Sequence, residues 1–424
     1  MRSHYKRIGD YVTQIKLKNT DDSISSLKGI NINKHFMPSV ANINGTDLSK
    51  YRVVKKNQFA FNPMHVGRDE VLPISMLEDD EPIIVSPAYV VFEVKDEEEL
   101  LPAYLMMWCR RSEFDRNAWF MTDNSVRGGF SWADFCDMEL PVPSIEKQRE
   151  IVREYNVVND RIALNEQLTQ KLEDTAQAIY KQWFVDFEFP ISKEYAQSIG
   201  KPELEGKPYK SSGGEMKYCE RIEADVPAIW KTQILDDVLE LIIDHRGKTP
   251  LKLGGEWSDS GFPAISAKNV KKGQIVQRNT IRFVDSSLYA KWMKEPLKTD
   301  DLIMTSEAPM GELLYICSKT DYLLSQRLYA LRTKKQCVSG VYLYFWLQNP
   351  IALRDMEGRA SGTTVLGIKQ SELRKVNILT PDSSADRKYF ELMAPLFNQK
   401  EILSNEKAAL KELAQMLLVK LSRY

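Results

Sequence analysis

Residues 101–120 read "LPAYLMMWCRRSEFDRNAWF" and residues 338–357 read "VSGVYLYFWLQNPIALRDME". Both are aromatic and aliphatic runs that reach a tryptophan, break, and continue as a more polar stretch. Trp108 and Trp346 align at an offset of 238, and the same offset pairs Gly129 with Gly367, Pro143 with Pro381, Leu172 with Leu410 and Ala176 with Ala414. A colinear series at one offset is the mark of a tandem duplication. Upstream the register slips: "FAFNPMHVGR" (59–68) best matches "LIMTSEAPMGEL" (302–313), where Pro63 and Pro309 differ by 246. Two copies of one module imply two copies of one task.

Each copy reads as a strand-rich region followed by a short helix and then a long one. "YRVVKKNQFAFNP" (51–63) and "PIIVSPAYVVFEV" (82–94) carry the β-branched and aromatic content of strands in the first copy. "GFPAISAKNV" (261–270), "QIVQRNTIRFV" (274–284) and "DLIMTSEAP" (301–309) do so in the second. "ELLPAYLMMWCRRSEF" (99–114) and its counterpart each predict one short helix.

The long helices carry the second pattern. From about Ile145 to Trp183, positions Ile151, Tyr155, Val158, Ile162, Asn165, Leu168 or Leu172, Ala176, Ile179 and Trp183 recur at steps of three and four. Phe390, Met393, Phe397, Leu403, Leu410, Ala414, Leu417 and Leu421 repeat the spacing at the C-terminal end. A single apolar stripe that long is insoluble alone, so the two predict an antiparallel coiled coil that holds two modules apart in opposite orientations. Asn165 on this seam is expected to be partly exposed. The first helix is expected to stop at "FVDFEFP", with Pro190 as the terminator and Phe184, Phe187 and Phe189 closing the rod's end. "ISKEYAQSIGKPELEGKPYKSSGGEMKY" (191–218) then reads as a linker.

Composition narrows the classes. At 424 residues, with 43% hydrophobic and 28% charged side chains, the chain is expected to fold into two or three globular units. A formal charge of −1 gives no global pull on polyanions, so a nucleic-acid surface must be a local patch. Five cysteines without a C-x-x-C pair suit reduced packing thiols. No stretch approaches the roughly 18 apolar residues of a membrane span, and "MRSHYKRIGD" lacks a signal-peptide core, so the cytoplasm is expected. Four scattered histidines offer no zinc spacing.

In this order of elements the chain resembles the DNA-specificity subunit of Type I restriction-modification enzymes. The carriers are "QAIYKQWFVDFEFP" (177–190), "ADVPAIWKTQILDDVLELI" (224–242), "DHRGKTP" (244–250), "GEWSDSGFPAISAKNV" (255–270) and "SGTTVLGIKQSELRKVNILTP" (361–381). The first module departs from the pattern in "NSVRGGFSWADFCDMELPVPSIEKQREIV" (124–152), whose glycine region is not the usual small-polar run. The resemblance implies an α+β protein: two similar target recognition domains joined by two long helices in an antiparallel coiled coil, a pseudo-twofold tandem repeat. It divides the chain into a first recognition domain (1–143), a central long helix (144–189), a linker (190–217), a second recognition domain (218–381) and a C-terminal long helix (382–424).

It also implies a non-catalytic subunit that binds double-stranded DNA, each domain reading half of a bipartite site with the helices as a ruler. The implied partners are two methyltransferase (modification) subunits carrying S-adenosylmethionine, and restriction/translocase subunits using ATP with Mg²⁺. This chain would bind no cofactor and no membrane.

Base reading needs Arg, Lys, Asn, Gln, Ser or Thr side chains held at a groove. The candidates are Lys16, Lys18, Asn62, His65, Arg68, Asn124 and Arg127 in the first module, and Arg246, Lys248, Thr249, Lys268, Asn269, Arg359, Thr363 and Thr364 in the second. A glycine turn after Arg359 is expected to bring donors close to phosphate. "AKNVKKGQIVQR" (267–278) predicts a basic hairpin carrying Lys268, Lys271, Lys272 and Arg278.

Two alternatives compete. One is a coiled-coil scaffold that binds only proteins. The other is a Mg²⁺-dependent nuclease using Asp80, Glu93 and Lys95, the type of acidic pair that holds a metal ion. Methyltransferase and P-loop signatures fail: "FNPMHV" (61–66) lacks the second proline and aromatic, and "IIDHRGKTP" (242–250) has Ile242 where a P-loop needs glycine.

Overall fold

The computed structural model describes residues 5–39, 46–64, 70–122, 129–362 and 365–424. The chain forms two compact units: residues 1–166 with 406–424, and residues 167–405. Each long helix is therefore shared between them.

Unit one holds a four-stranded antiparallel sheet of β1 (Val12–Ile15), β2 (Phe59–Phe61), β3 (Ile74–Met76) and β4 (Val90–Val94), in the order β1-β4-β2-β3. Unit two repeats it with β5 (Leu239–Asp244), β6 (Leu302–Thr305), β7 (Leu313–Tyr315) and β8 (Leu328–Thr333), in the order β5-β8-β6-β7. Backbone bonds outside the ladders fix the correspondence. Asn57 N–H donates to Leu77 O as Asp300 N–H does to Ile316 O, and Lys95 N–H to Tyr11 O as Lys334 N–H to Val238 O, all at 2.8 Å. Asn57 and Asp300 share left-handed backbone (φ 63° and 77°), which Asn and Asp tolerate better than other side chains. One difference stands out: β5 carries a bulge between Leu239 and Leu241, which inserts one extra residue between the positions that match Val12 and Thr13. Since Phe59 corresponds to Leu302, the pairing of Pro63 with Pro309 is not the structural equivalence, because the turns that follow differ in length.

Against each sheet lies a helix pair, where the sequence predicted a single helix. Unit one has α1 (Pro102–Cys109) and α2 (Ser112–Met121). The first long helix, α3, spans Ile145–Tyr180. Unit two has α4 (Gly340–Trp346), α5 (Pro350–Arg359) and the second long helix, α6 (Ser383–Lys420). The helix breaks at Arg110–Arg111 and Gln348–Asn349; Asn349 caps α5 by accepting Ile351 N–H, with Pro350 at its first position.

Three features at the offset of 238 fasten the long helices. Ser144 and Asp382 cap α3 and α6, accepting from Lys147 N–H (3.4 Å) and from Ser384 and Ala385 N–H (3.0 and 3.1 Å). Buried Gln148 accepts Leu101 N–H (2.9 Å), as buried Asp386 accepts Ser339 N–H (2.8 Å). Tyr104 and Tyr342, both fully buried, donate their hydroxyls to Pro141 O and Leu379 O.

The long helices pair antiparallel in both units. In unit one, Ile151, Tyr155 and Val158 share a core with Ala414, Leu418 and Leu421, and Arg161 binds Glu406 (2.8 and 3.1 Å). In unit two, Ala176, Tyr180 and Phe184 share a core with Tyr389, Met393 and Phe397, and Lys400 pairs with Glu173. The seam is continuous with each lobe's own core, so the helices serve as partners and as core elements together. Asn165 is fully buried rather than partly exposed, and together with Arg161 it holds the neighbouring Glu406 carboxyl below its usual pKa. Leu172 is partly buried and Leu168 exposed; Tyr180 and Phe184, not Ile179 and Trp183, are the residues sealed inside.

Pro190 does not stop α3. The helix widens into a π turn over Lys181–Val185, and the chain reverses at Phe187 in left-handed backbone (φ 60°), its ring edge-on to Trp230 at 5.4 Å. Phe184, Phe187 and Phe189 enter the core of unit two among Tyr209, Trp230 and Tyr342. The stretch read as a linker is folded too: Lys193–Ser198 is helical, Ile191, Ala196 and Tyr209 are buried, and Tyr209 donates to Glu215 O (2.9 Å).

Two outcomes are expected. Tyr104→Phe and Tyr342→Phe each strand a buried carbonyl and should cost about 1–2 kcal/mol, read as a lower urea midpoint at unchanged slope. Burial, reinforced by Asp300 and Asp382, raises the Asp386 carboxyl to about 7. The folded state therefore holds a proton that the unfolded chain releases, and stability falls as pH rises from about 4 to about 7 and then levels. Asp386→Asn should flatten that dependence in thermal unfolding from pH 5 to 8.

Candidate nucleic-acid interface

The strands place the predicted readers at matching sheet ends. In unit one, β1 runs into Lys16 and Lys18, both exposed, and β2 into Asn62. In unit two, β5 runs into Arg246, and the loop after β6 meets Arg327 at the start of β8 through Ser306 N–H donating to Arg327 O (2.9 Å). Following the sheet register, Lys16 and Lys18 stand where Asp244 and Arg246 stand. Lys268 is exposed beside the same end, because Ala267 N–H donates to Gln326 O.

Arg246 is held on two sides. Its guanidinium meets the Asp244 carboxylate through Nε (2.9 Å) and Nη2 (2.8 Å), and lies over the Tyr329 ring at 4.4 Å. Tyr329 is fixed by donating to Ile368 O (3.0 Å). The Asp244 hydrogen bonds raise the Arg246 pKa further above its usual value. Arg327, which sequence reasoning missed, is paired to Glu307 (3.2 Å) and half exposed.

Other candidates are occupied elsewhere. Asn269 is buried: its carbonyl oxygen accepts from Ser266 N–H and Oγ–H, and its amide donates to Val276 O, Gln277 O and Thr280 Oγ1. It builds the basic hairpin and is closed to a base. Lys248 donates to Trp292 O (2.8 Å), and burial together with Lys294 lowers its pKa. Thr249 accepts Lys252 N–H within its own turn. Arg359 is tied to Asp355 (2.6 Å), which also accepts Asn377 N–H (2.7 Å).

The glycine turn after Arg359 is pinned: Ser361 and Gly367 exchange backbone bonds (2.8 and 3.0 Å), and a Cβ on Gly367 would stand 3.0 Å from Glu307 Cβ. His65, Arg68, Asn124, Arg127, Thr363 and Thr364 lie outside the described residues. In unit one, α2 ends in exposed Trp119 and Phe120 (46% and 85%), where α5 carries Glu357 and Gly358.

Comparison with known proteins supports a specificity subunit. The Type I restriction modification DNA specificity domain matches residues 227–412. The Haemophilus influenzae HindI specificity subunit is 24% identical over 92% of this chain and 91% of its own length. Over nearly its whole length the chain is thus similar to a type I specificity subunit. The MjaIX specificity subunit of Methanocaldococcus jannaschii is 22% identical, over 67% of this chain and 60% of its own. The crystal structure of the S subunit from M. genitalium shares the fold, with a TM-score of 0.59 at 11% identity over 98% of this chain and 95% of that one.

These similarities indicate a DNA specificity subunit of a type I restriction-modification system and leave the alternatives without support. The nuclease geometry is also missing. Asp80 pairs with Lys56 (2.6 Å), Glu93 accepts from Gln58 (2.8 Å), and Lys95 donates to Gly9 and Asp10 carbonyls. Glu93 is the counterpart of Arg332, which binds Asp301 at 2.8 Å, so Gln58–Glu93 and Asp301–Arg332 are the same cross-strand tie in two chemistries. Among the described residues no cluster of three or more His, Cys, Asp or Glu is placed to hold a metal, and no helix is long and apolar enough to cross a membrane.

If Asn269 is structural, Asn269→Ala should lower thermal stability by about 2 kcal/mol or more, because several buried groups lose partners at once. Lys268→Ala should leave stability unchanged in the same melt.

Proposed function

We propose that this chain is the non-catalytic reader of its complex, with unit one's lobe reading one half of a bipartite duplex site and unit two's lobe the other. The observation that carries the reading is the twin sheet: one backbone, built twice, ending in Lys16, Lys18 and Asn62 in one unit and in Arg246 and Arg327 in the other. The same frame with different donors reads different bases. The half-sites are therefore unlike in sequence.

In this reading the lobes correspond to residues 1–143 and 218–381, and the paired helices set the gap between half-sites while docking two modification subunits. Those subunits hold S-adenosylmethionine, and the restriction subunits use ATP with Mg²⁺. The complex works in the cytoplasm, and this chain touches DNA without breaking or methylating it.

Selection from a random duplex library by the complex reconstituted with its modification subunits should enrich a bipartite motif with a fixed gap. Removing one heptad from each long helix shortens the pair by about 10 Å, so the preferred gap should shrink by about three base pairs. An unchanged gap rejects the ruler. Lys268→Ala should reduce the salt slope of binding by about 1 with the motif unaltered.

A further inference from the structure

The geometry points to Arg246 as a reader of guanine in the half-site of unit two, with Asp244 and Tyr329 as its positioning residues. The inference rests on the half-site reading above and adds the identity of a base to it.

A guanidinium has five N–H donors. Asp244 takes the Nε–H and one Nη2–H, which leaves the two Nη1–H and the outer Nη2–H as an end-on fork. The Arg246 side chain is 35% exposed, so about a third of it stays open to solvent while its Nε edge is clamped. Guanine alone presents two acceptors, O6 and N7, side by side in the major groove, and a fork of this kind meets both. Tyr329 holds the plane, since its ring lies 4.4 Å beneath the guanidinium and its hydroxyl is anchored to Ile368 O. Little rotamer freedom remains to be lost on binding, so the donors are aimed before DNA arrives.

A phosphate contact would call for the opposite arrangement. Phosphate binding draws on net positive charge. Here Asp244 faces Arg246 and Glu307 faces Arg327, so two cations at the sheet end are offset by two carboxylates. Direction is kept while charge is given up, which suits a base edge and not a backbone. Unit one lacks the device, because Lys16 occupies the place of Asp244 and a lysine cannot clamp Lys18.

The test uses the reconstituted modification complex with wild-type chain, R246A, R246K and D244N, selected on random duplexes and then titrated on the wild-type motif. The expected result is one guanine position in one half-site at which R246A and R246K each lose discrimination about tenfold or more, with the salt slope unchanged. At that position 7-deazaguanine, which lacks the N7 acceptor, should weaken wild type by a similar factor and leave R246A unaffected. D244N should bind random DNA more tightly while discriminating less at that guanine, a split that a purely structural role would not produce. Wild-type-like discrimination by R246K, or indifference of the wild type to 7-deazaguanine, overturns the inference and leaves the half-site reading standing. Failure of the wild type to select any motif sinks both.

Discussion

The structure depends on how each long helix is fastened at its first turn. A side chain one turn into the helix, Gln148 or Asp386, reaches across to the backbone N–H of Leu101 or Ser339 at the start of the short helix. A buried tyrosine on that short helix then holds the strand that leads into the long one. Strand, short helix and long helix are thereby closed into one loop of bonds among buried groups, where a missing partner is costly. Only with that corner fixed can the seam from Ile151 to Phe184 meet its antiparallel partner in register.

That seam also explains why the helices cannot be detached from the lobes. Tyr180 stacks on Phe345 at 5.1 Å and Phe184 meets Tyr389 at 4.8 Å, so helix–helix contact and helix–lobe contact are made by the same rings. Buried polar groups within the pair, Asn165 with Glu406 in one unit and Lys400 with Glu173 in the other, fix alignment that apolar side chains alone would leave free to slide.

Much of this was legible in the sequence. The offset of 238 identified the duplication, and the same offset turns out to join Ser144 to Asp382, Gln148 to Asp386 and Tyr104 to Tyr342. Periodicity located the long helices within a few residues but misjudged their facing by one position near Tyr180, because Ile179 and Trp183 keep the same step of four as Tyr180 and Phe184, and only rings distant in sequence decide which pair is sealed in. Pro190 looked like a terminator, yet the reversal is made earlier by Phe187, which adopts left-handed backbone only because the Trp230 ring receives it. The linker resembled a flexible segment in composition, while Ile191, Ala196 and Tyr209 anchor it through contacts distant in sequence. Among the readers, residue type alone could not tell Asn269, consumed inside its hairpin, from Lys268 beside it. Arg327 escaped notice because only the fold brings it to the end of β5.

The bulge in β5 shows how two copies of one frame come to differ. An extra residue in an edge strand increases its local twist and bends its far end, and in unit two that end carries Asp244 and Arg246. Insertion of one amino acid, absorbed at Glu240 on the solvent side, thus acts as a steering adjustment, changing the angle at which the tip approaches its target while the hydrophobic interior stays as it was. A duplicated gene could diversify what its halves bind by such small additions at strand edges, well before any residue of the shared scaffold had to change.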